Sequence, residues 1–230
     1  MKSKKRVAII VAGGKGERMG ETIPKQFLEL AGKPILMHTL ERFKNADSTI
    51  EIIVVLPENQ IDFWEELFHQ YQIPKIRHQI AKGGKTRFHS VKNALKLIQK
   101  DCVVAIHDRV RPLVSNETIE NCFITAEKKG NAIPVVEVVD SLRHYSKQQQ
   151  TNNAVSRSCY KIVQTPQCFS SDLILKAYEQ DFDKLFTDDA TVIEKLGETI
   201  NLVAGNKENI KITTAQDLII ATAFMKQQST

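Results

Sequence analysis

Short apolar runs rich in β-branched residues alternate along the chain with longer stretches whose apolar positions recur every three to four residues. The first run spans residues 7–12 (Val-Ala-Ile-Ile-Val-Ala). Others follow at 51–56, 102–107, 132–136 and 199–203, with a weaker one at 75–79. Each predicts a strand, since a continuous apolar run of this length suits a chain buried on both faces of a sheet. Helical periodicity occupies 35–43, 61–71, 86–98, 117–129, 171–179, 188–196 and 215–225. The alternation predicts an α/β fold: a mostly parallel sheet with helices on both faces and right-handed crossovers. In such a sheet, ligands bind at the carboxyl ends of the strands.

Residues 137–163 break this pattern. The tract Lys147-Gln148-Gln149-Gln150-Thr151-Asn152-Asn153 is polar and lies between extended pieces at 138–145 and 158–163. The shape is that of a protruding β-arm; composition by itself leans towards a plain surface loop. With 230 residues, a single domain over 1–230 is expected. No apolar run approaches the roughly 20 residues of a membrane span. The basic start is followed by only six apolar residues before Gly13, short of the ~7–15 of a signal peptide. Cys102, Cys122, Cys159 and Cys168 show no metal-knuckle or redox spacing, and Cys102 and Cys122 lie in apolar surroundings. A cytoplasmic location fits that usage. The net charge of +5 is spread along the chain; it suits an anionic substrate, and no nucleic-acid module is present.

The first strand runs into Ala12-Gly13-Gly14-Lys15-Gly16-Glu17-Arg18-Met19-Gly20. Glycines allow a sharp turn whose N–H groups can line a nest for phosphate oxygens. This is not a Walker A loop, and Pro24-Lys25-Gln26 replaces the helix that a dinucleotide fingerprint requires. Arg18 and Lys25 can reach one phosphate from two sides, as a phosphoryl-type transition state demands. A second pair, Gly83-Gly84, precedes the helix near Thr86. That position can bind an anion or admit a planar base to backbone N–H groups, with Arg87 and Ser90 one turn on. Asp108 closes the strand ending His107-Asp108-Arg109-Val110-Arg111-Pro112. It can hold Mg²⁺ or a ribose hydroxyl, and Arg111 can grip a phosphate. His107 reads as a structural histidine. Three later clusters are weaker alone: Gln164-Thr165-Pro166-Gln167, the helix cap Thr187-Asp188-Asp189-Ala190, and Asn209-Ile210-Lys211, where Lys211 offers another cation.

In this order, these clusters, with Asp140-Ser141 and Arg157-Ser158, resemble the IspD family of 2-C-methyl-D-erythritol 4-phosphate cytidylyltransferases over almost the whole chain. The resemblance implies a Rossmann-like nucleotidyltransferase fold and a homodimer, the 137–163 arm crossing into the partner subunit. It implies CTP held by Ala12, Gly13, Gly14, Gly16, Gly83, Gly84, Arg87, Ser90 and Asp108, with Mg²⁺ on the phosphates near Asp108. Arg18, Lys25 and Lys211 would neutralise the pentacoordinate phosphorus. Asp108, Arg111, Ser141, Thr165, Thr187 and the arm's Arg157 would hold the acceptor, a small sugar-alcohol phosphate. Arg109 stands where the family usually has a small residue, and Ser141 where threonine is common. Ribitol 5-phosphate is the alternative acceptor. A nicotinamide-dependent oxidoreductase is weaker, because the second strand ends in Leu56-Pro57 without a ribose-binding acid.

Overall fold

The computed structural model describes residues 4–12, 27–71 and 76–228. Gly13, Gly14, Gly16, Arg18 and Lys25 therefore lie outside the described residues. The expected alternation is present: β1 (Lys5–Val11), β2 (Glu29–Leu30), β3 (Lys33–Pro34), α1 (Ile35–Ala46), β4 (Glu51–Leu56), α2 (Ile61–Gln70), β5 (His78–Lys82), α3 (Arg87–Leu95), β6 (Cys102–Asp108), α4 (Asn116–Lys129) and β7 (Asn131–Glu137). The second half adds β8 (Leu142–Ser146), β9 (Thr151–Val155), β10 (Lys161–Val163), β11 (Gln167–Ser170), α5 (Ser171–Ala177), α6 (Asp189–Glu194), β12 (Leu202–Ala204) and α7 (Ala215–Gln228).

The main sheet runs β10-β7-β11-β6-β1-β4-β5, with β12 also on β7. Its heart, β6-β1-β4-β5, is parallel. The chain goes from β1 to β4 and β5 on one side, then returns to β6 on the other, so the winding reverses between β1 and β6. Successive residues of β1 feed opposite layers. Ala8 and Ile10 pack with Leu36, Leu40, Phe43, Trp64 and Phe123 of α1, α2 and α4. Val7, Ile9 and Val11 pack with Phe88, Val91, Ile174 and Ile193 of α3, α5 and α6. Each large side chain buried this way contributes about 1.5–3 kcal/mol. Cys102, Cys122 and Cys168 are buried free thiols, and Cys159 is exposed.

The departures from expectation lie where strands are short or polar. The strand expected at 75–79 falls at His78–Lys82, in parallel register with Ile52–Leu56. Only Ala81 of it is buried, so its apolar signal is faint. The strand expected at 199–203 begins at Leu202, set by its pairing with Ile133–Val135. β11, unpredicted, runs antiparallel between β6 and β7. The arm is a hairpin, but its second strand is β9, which begins inside the polar tract; β10 pairs with β7 instead. Gln150, at φ 51, closes its turn.

Candidate active site

The carboxyl end of β6 delivers Asp108 to the rim of the sheet, half a turn before the backbone bends through Arg111 N–H to Asp108 O. Three cations converge on its carboxylate. Lys211 Nζ lies 3.0 Å and Arg111 Nε 3.5 Å from Oδ2, and Arg87 Nε lies 3.9 Å from Oδ1. Burial alone would raise the Asp108 pKa. The charges of Arg87, Lys211 and Arg111 overrule it and hold the group well below the usual carboxylate range. Burial also lowers Arg111, against the pull of Asp108. Lys211 is the half-exposed member of the cluster, its ammonium anchored by Asp108 yet open to solvent.

Behind this cluster stands a hydrogen-bonded polar layer in which Asn209 Oδ1 is left without a partner. Thr165 Oγ1 accepts from Asp108 N–H at 3.1 Å and donates to His107 Nδ1 at 3.0 Å; His107 Nε2 then donates to the Arg111 carbonyl at 3.1 Å. These partners assign neutral His107 with its proton on Nε2. Burial pushes its pKa down to about 4, which preserves that state. Arg111 Nη1 donates to the Asn209 carbonyl at 2.7 Å, and Asn209 Nδ2 to the Thr165 carbonyl at 2.8 Å. The Asn209-Ile210-Lys211 stretch is thereby tied to β6, and Lys211 is aimed at Asp108.

Gly83 and Gly84 follow β5. A Cβ on Gly84 would lie 2.5 Å from His89 Cβ and 2.8 Å from its carbonyl carbon, so only glycine fits. Thr86 caps α3. Buried Ser90 Oγ accepts from Gly84 N–H at 2.9 Å and donates to the Thr86 carbonyl at 2.9 Å. Its hydroxyl thus shapes the glycine turn, leaving one lone pair for a ligand. Arg87 projects from the first turn of α3 to Asp189, with Nη2 2.5 Å from Oδ2. Asp189 is fully buried, and its Oδ1 accepts the Tyr178 hydroxyl at 2.6 Å.

The structure therefore gathers Gly83, Gly84, Arg87, Ser90, Asp108, Arg111, Thr165 and Lys211 around one end of the sheet. Ala12, whose N–H bonds the Val55 carbonyl, closes β1 beside them. Thr187 is exposed before α6; Asp188, not Thr187, is the cap, in a capping box with Thr191. Ser141 and Arg157 are exposed on the arm, where Arg157 Nη1 donates to the Val139 carbonyl. The sequence marks Asp189, Gln164 and Asn209 only as members of their clusters and gives them no role of their own. An acid directly after the cap, one turn from nothing but apolar positions, was the available signal for Asp189. Among the described residues no cluster of three or more His, Cys, Asp or Glu is placed to hold a metal, and no helix is long and apolar enough to cross a membrane.

Comparison with known proteins places this site in context. Residues 6–227 match the family profile for IspD, 2-C-methyl-D-erythritol 4-phosphate cytidylyltransferase. A 2-C-methyl-D-erythritol 4-phosphate cytidylyltransferase of Bacteroides fragilis is 53% identical over 220 residues, covering 96% of this chain and 99% of the relative. One of Bacteroides thetaiotaomicron is 51% identical over 96% of this chain and 100% of its own length. The crystal structure of 4-diphosphocytidyl-2C-methyl-D-erythritol synthase from Anaerococcus prevotii superposes with a TM-score of 0.82 at 27% identity, covering 98% of this chain and all of that one.

Proposed function

This chain belongs to the IspD family of 2-C-methyl-D-erythritol 4-phosphate cytidylyltransferases, and we propose on that footing that it transfers CMP from CTP to 2-C-methyl-D-erythritol 4-phosphate. The products are 4-diphosphocytidyl-2-C-methyl-D-erythritol and pyrophosphate. The observation that carries the reading is the ring of Arg87, Arg111 and Lys211 around Asp108 at the end of β6. With Asp189 paired to Arg87, the cations still outnumber the carboxylates, and a surplus of positive charge suits a triphosphate meeting a phosphate.

A phosphate oxygen of the acceptor attacks the α-phosphorus of CTP in line. The bond from that phosphorus to the bridging oxygen breaks, and pyrophosphate leaves with the electron pair. No covalent enzyme intermediate is involved, so catalysis rests on positioning and electrostatics. Lys211, held by Asp108, meets the charge that develops on the equatorial oxygens, together with Arg18 and Lys25. Arg111 and Asp108 orient the acceptor, with Thr165 and Thr187. The N–H groups of the glycine loop and of Gly83-Gly84 receive the nucleotide, with Ala12, Arg87 and Ser90 shaping the cradle.

Asp108 also suits a magnesium ion carried on the triphosphate. Oδ2 is occupied by Lys211 and Arg111, while among the described residues Oδ1 has only the distant Arg87 Nε. One ionised oxygen with free lone pairs is what Mg²⁺ takes from protein when phosphates supply its other ligands. When bound, the ion neutralises charge on the triphosphate.

We further assign the arm to a homodimer. The β8–β9 pair is a two-stranded sheet of its own, and such a hairpin is marginal in water. Tyr145 on it and Val139, Tyr160 and Ile162 at its base are exposed apolar groups that a second subunit would cover. Arg157 and Ser141 would then serve the partner's site. Four unpaired cysteines accord with the cytoplasm. The test is pyrophosphate release with CTP, UTP and ATP against methylerythritol phosphate and ribitol 5-phosphate. Preference for CTP with methylerythritol phosphate is expected; preference for ribitol 5-phosphate overturns the acceptor.

A further inference from the structure

Arg109 plays no part in the arrangement above, yet it is the most buried of the described cationic residues near the site. Its N–H donates to the Val11 carbonyl at 3.4 Å and its carbonyl accepts from Thr39 Oγ1 at 2.8 Å, so its backbone bridges the ends of β6 and β1 and leans on α1. That is the point where the winding of the sheet reverses, the crevice in which α/β folds seat their ligands. The residue is only 9% exposed. Its Nε is buried with no hydrogen-bond partner. No ion pair of Arg109 is found among the described residues, and the neighbouring Asp108 carboxylate is already matched by Arg87, Arg111 and Lys211.

A guanidinium Nε buried without a hydrogen-bond partner is costly, because that donor gives up hydration and receives no bond in exchange. Among the described residues only the charge of Asp108 favours the ionised form, and no side chain bonds Nε, so a ligand of opposite charge can supply what is missing. The guanidinium fork matches phosphate oxygens two at a time. We propose that Arg109 is a binding residue for a phosphoanion in the crevice between β1 and β6, either the triphosphate of CTP or the phosphate of the acceptor. The inference rests on the cytidylyltransferase reading and extends it to a residue beyond the cluster assigned above. Arg109 binds and fixes the reactant; it does not exchange protons with it.

The experiment uses the full chain with Arg109→Met and Arg109→Lys. Thermal unfolding is followed without ligand, and KM for CTP, KM for methylerythritol phosphate, kcat and inhibition by inorganic pyrophosphate are measured for each. Arg109→Met, which fills the same space without the charge, is expected to raise the melting temperature of the ligand-free protein. It is expected to raise one KM by about tenfold or more, the loss of one charge-assisted contact, with kcat within about threefold of wild type. If the triphosphate is the partner, KM for CTP and the pyrophosphate inhibition constant rise together. If the acceptor phosphate is the partner, only its KM rises. Arg109→Lys keeps the charge and loses the fork, and shows a smaller rise in the same constant. A lower melting temperature with both KM values unchanged assigns Arg109 to packing and overturns the proposal; wild-type KM values in Arg109→Lys overturn it if Arg109→Met fails to fold. Absence of CTP-dependent pyrophosphate release in the wild-type protein would instead refute the underlying activity.

Discussion

Replacing Asp189 by asparagine tests whether Arg87 is held in the site by a buried charge. The Asp189 carboxylate is fully buried and accepts two short bonds, from Arg87 Nη2 at 2.5 Å and from the Tyr178 hydroxyl at 2.6 Å. Asp189→Asn preserves the volume and removes the charge. Its amide oxygen can continue to accept from Tyr178, which turns the amide nitrogen towards Arg87 and sets donor against donor. Removing one partner of a buried pair costs about 3–5 kcal/mol. Arg87 is 29% exposed and has Asp108 Oδ1 3.9 Å away as a second partner, so the lower end applies, about 3 kcal/mol. In urea unfolding with a slope of about 3 kcal/mol per molar, the midpoint falls by about 1 M. Arg87→Met made together with Asp189→Asn should be no worse than the poorer single variant, a coupling of about 2 kcal/mol in the double-mutant cycle. A loss below about 1 kcal/mol for Asp189→Asn, or an additive cycle, would refute the view that this pair anchors Arg87.

Arg18→Ala and Lys25→Ala are each expected to lower kcat by about 10²-fold or more while the protein stays folded, by analogy with oxyanion stabilisers; near-normal turnover in both would remove the glycine loop from the chemistry. Mixing Arg157→Ala protein with Lys25→Ala protein should restore part of the activity if the arm serves the partner's site, and a mixture as inactive as its components contradicts that sharing. A chelator should abolish pyrophosphate release and added Mg²⁺ should restore it; turnover that persists in the chelator rules the ion out. Acid should destabilise the fold early. Burial depresses His107 from its ordinary 6.5 to about 4, so the unfolded chain takes up the proton first; the contribution is present above pH 6.5 and is lost as pH falls towards 4, about 3 kcal/mol in all. His38 and His78, also lowered by burial, act in the same direction. Thermal melts from pH 7 to 4 that stay flat would contradict this.

The buried elements were legible because their signals are local. A strand covered on both faces must be apolar throughout, so Glu51–Leu56 and Cys102–Asp108 declare themselves within a few residues. Glycine pairs and an acid at strand ends mark where a ligand can sit, and the order of these clusters along the chain carries the family. What lacks a local signal was misjudged or missed. β11 is four residues long and becomes a strand only because β6 and β7 flank it. Among the described strands β9 pairs with β8 alone, and within the single chain its residues are mostly exposed, so no apolar run marks it.

Sequence alone determined the α/β class, the glycine turns and the roster of charged residues at the strand ends. The tertiary structure decided which of those charges answer one another. Asp108 meets Lys211 across more than a hundred residues of chain, and Arg87 meets Asp189 at a similar remove. It also decided that the Ser90 and Thr165 hydroxyls serve the turn and the His107 relay, and that Arg109 Nε is buried without a hydrogen-bond partner. The physical reason is range: backbone preference and burial patterns act over a few residues, whereas charge pairing and desolvation depend on which distant groups the fold brings within about 4 Å.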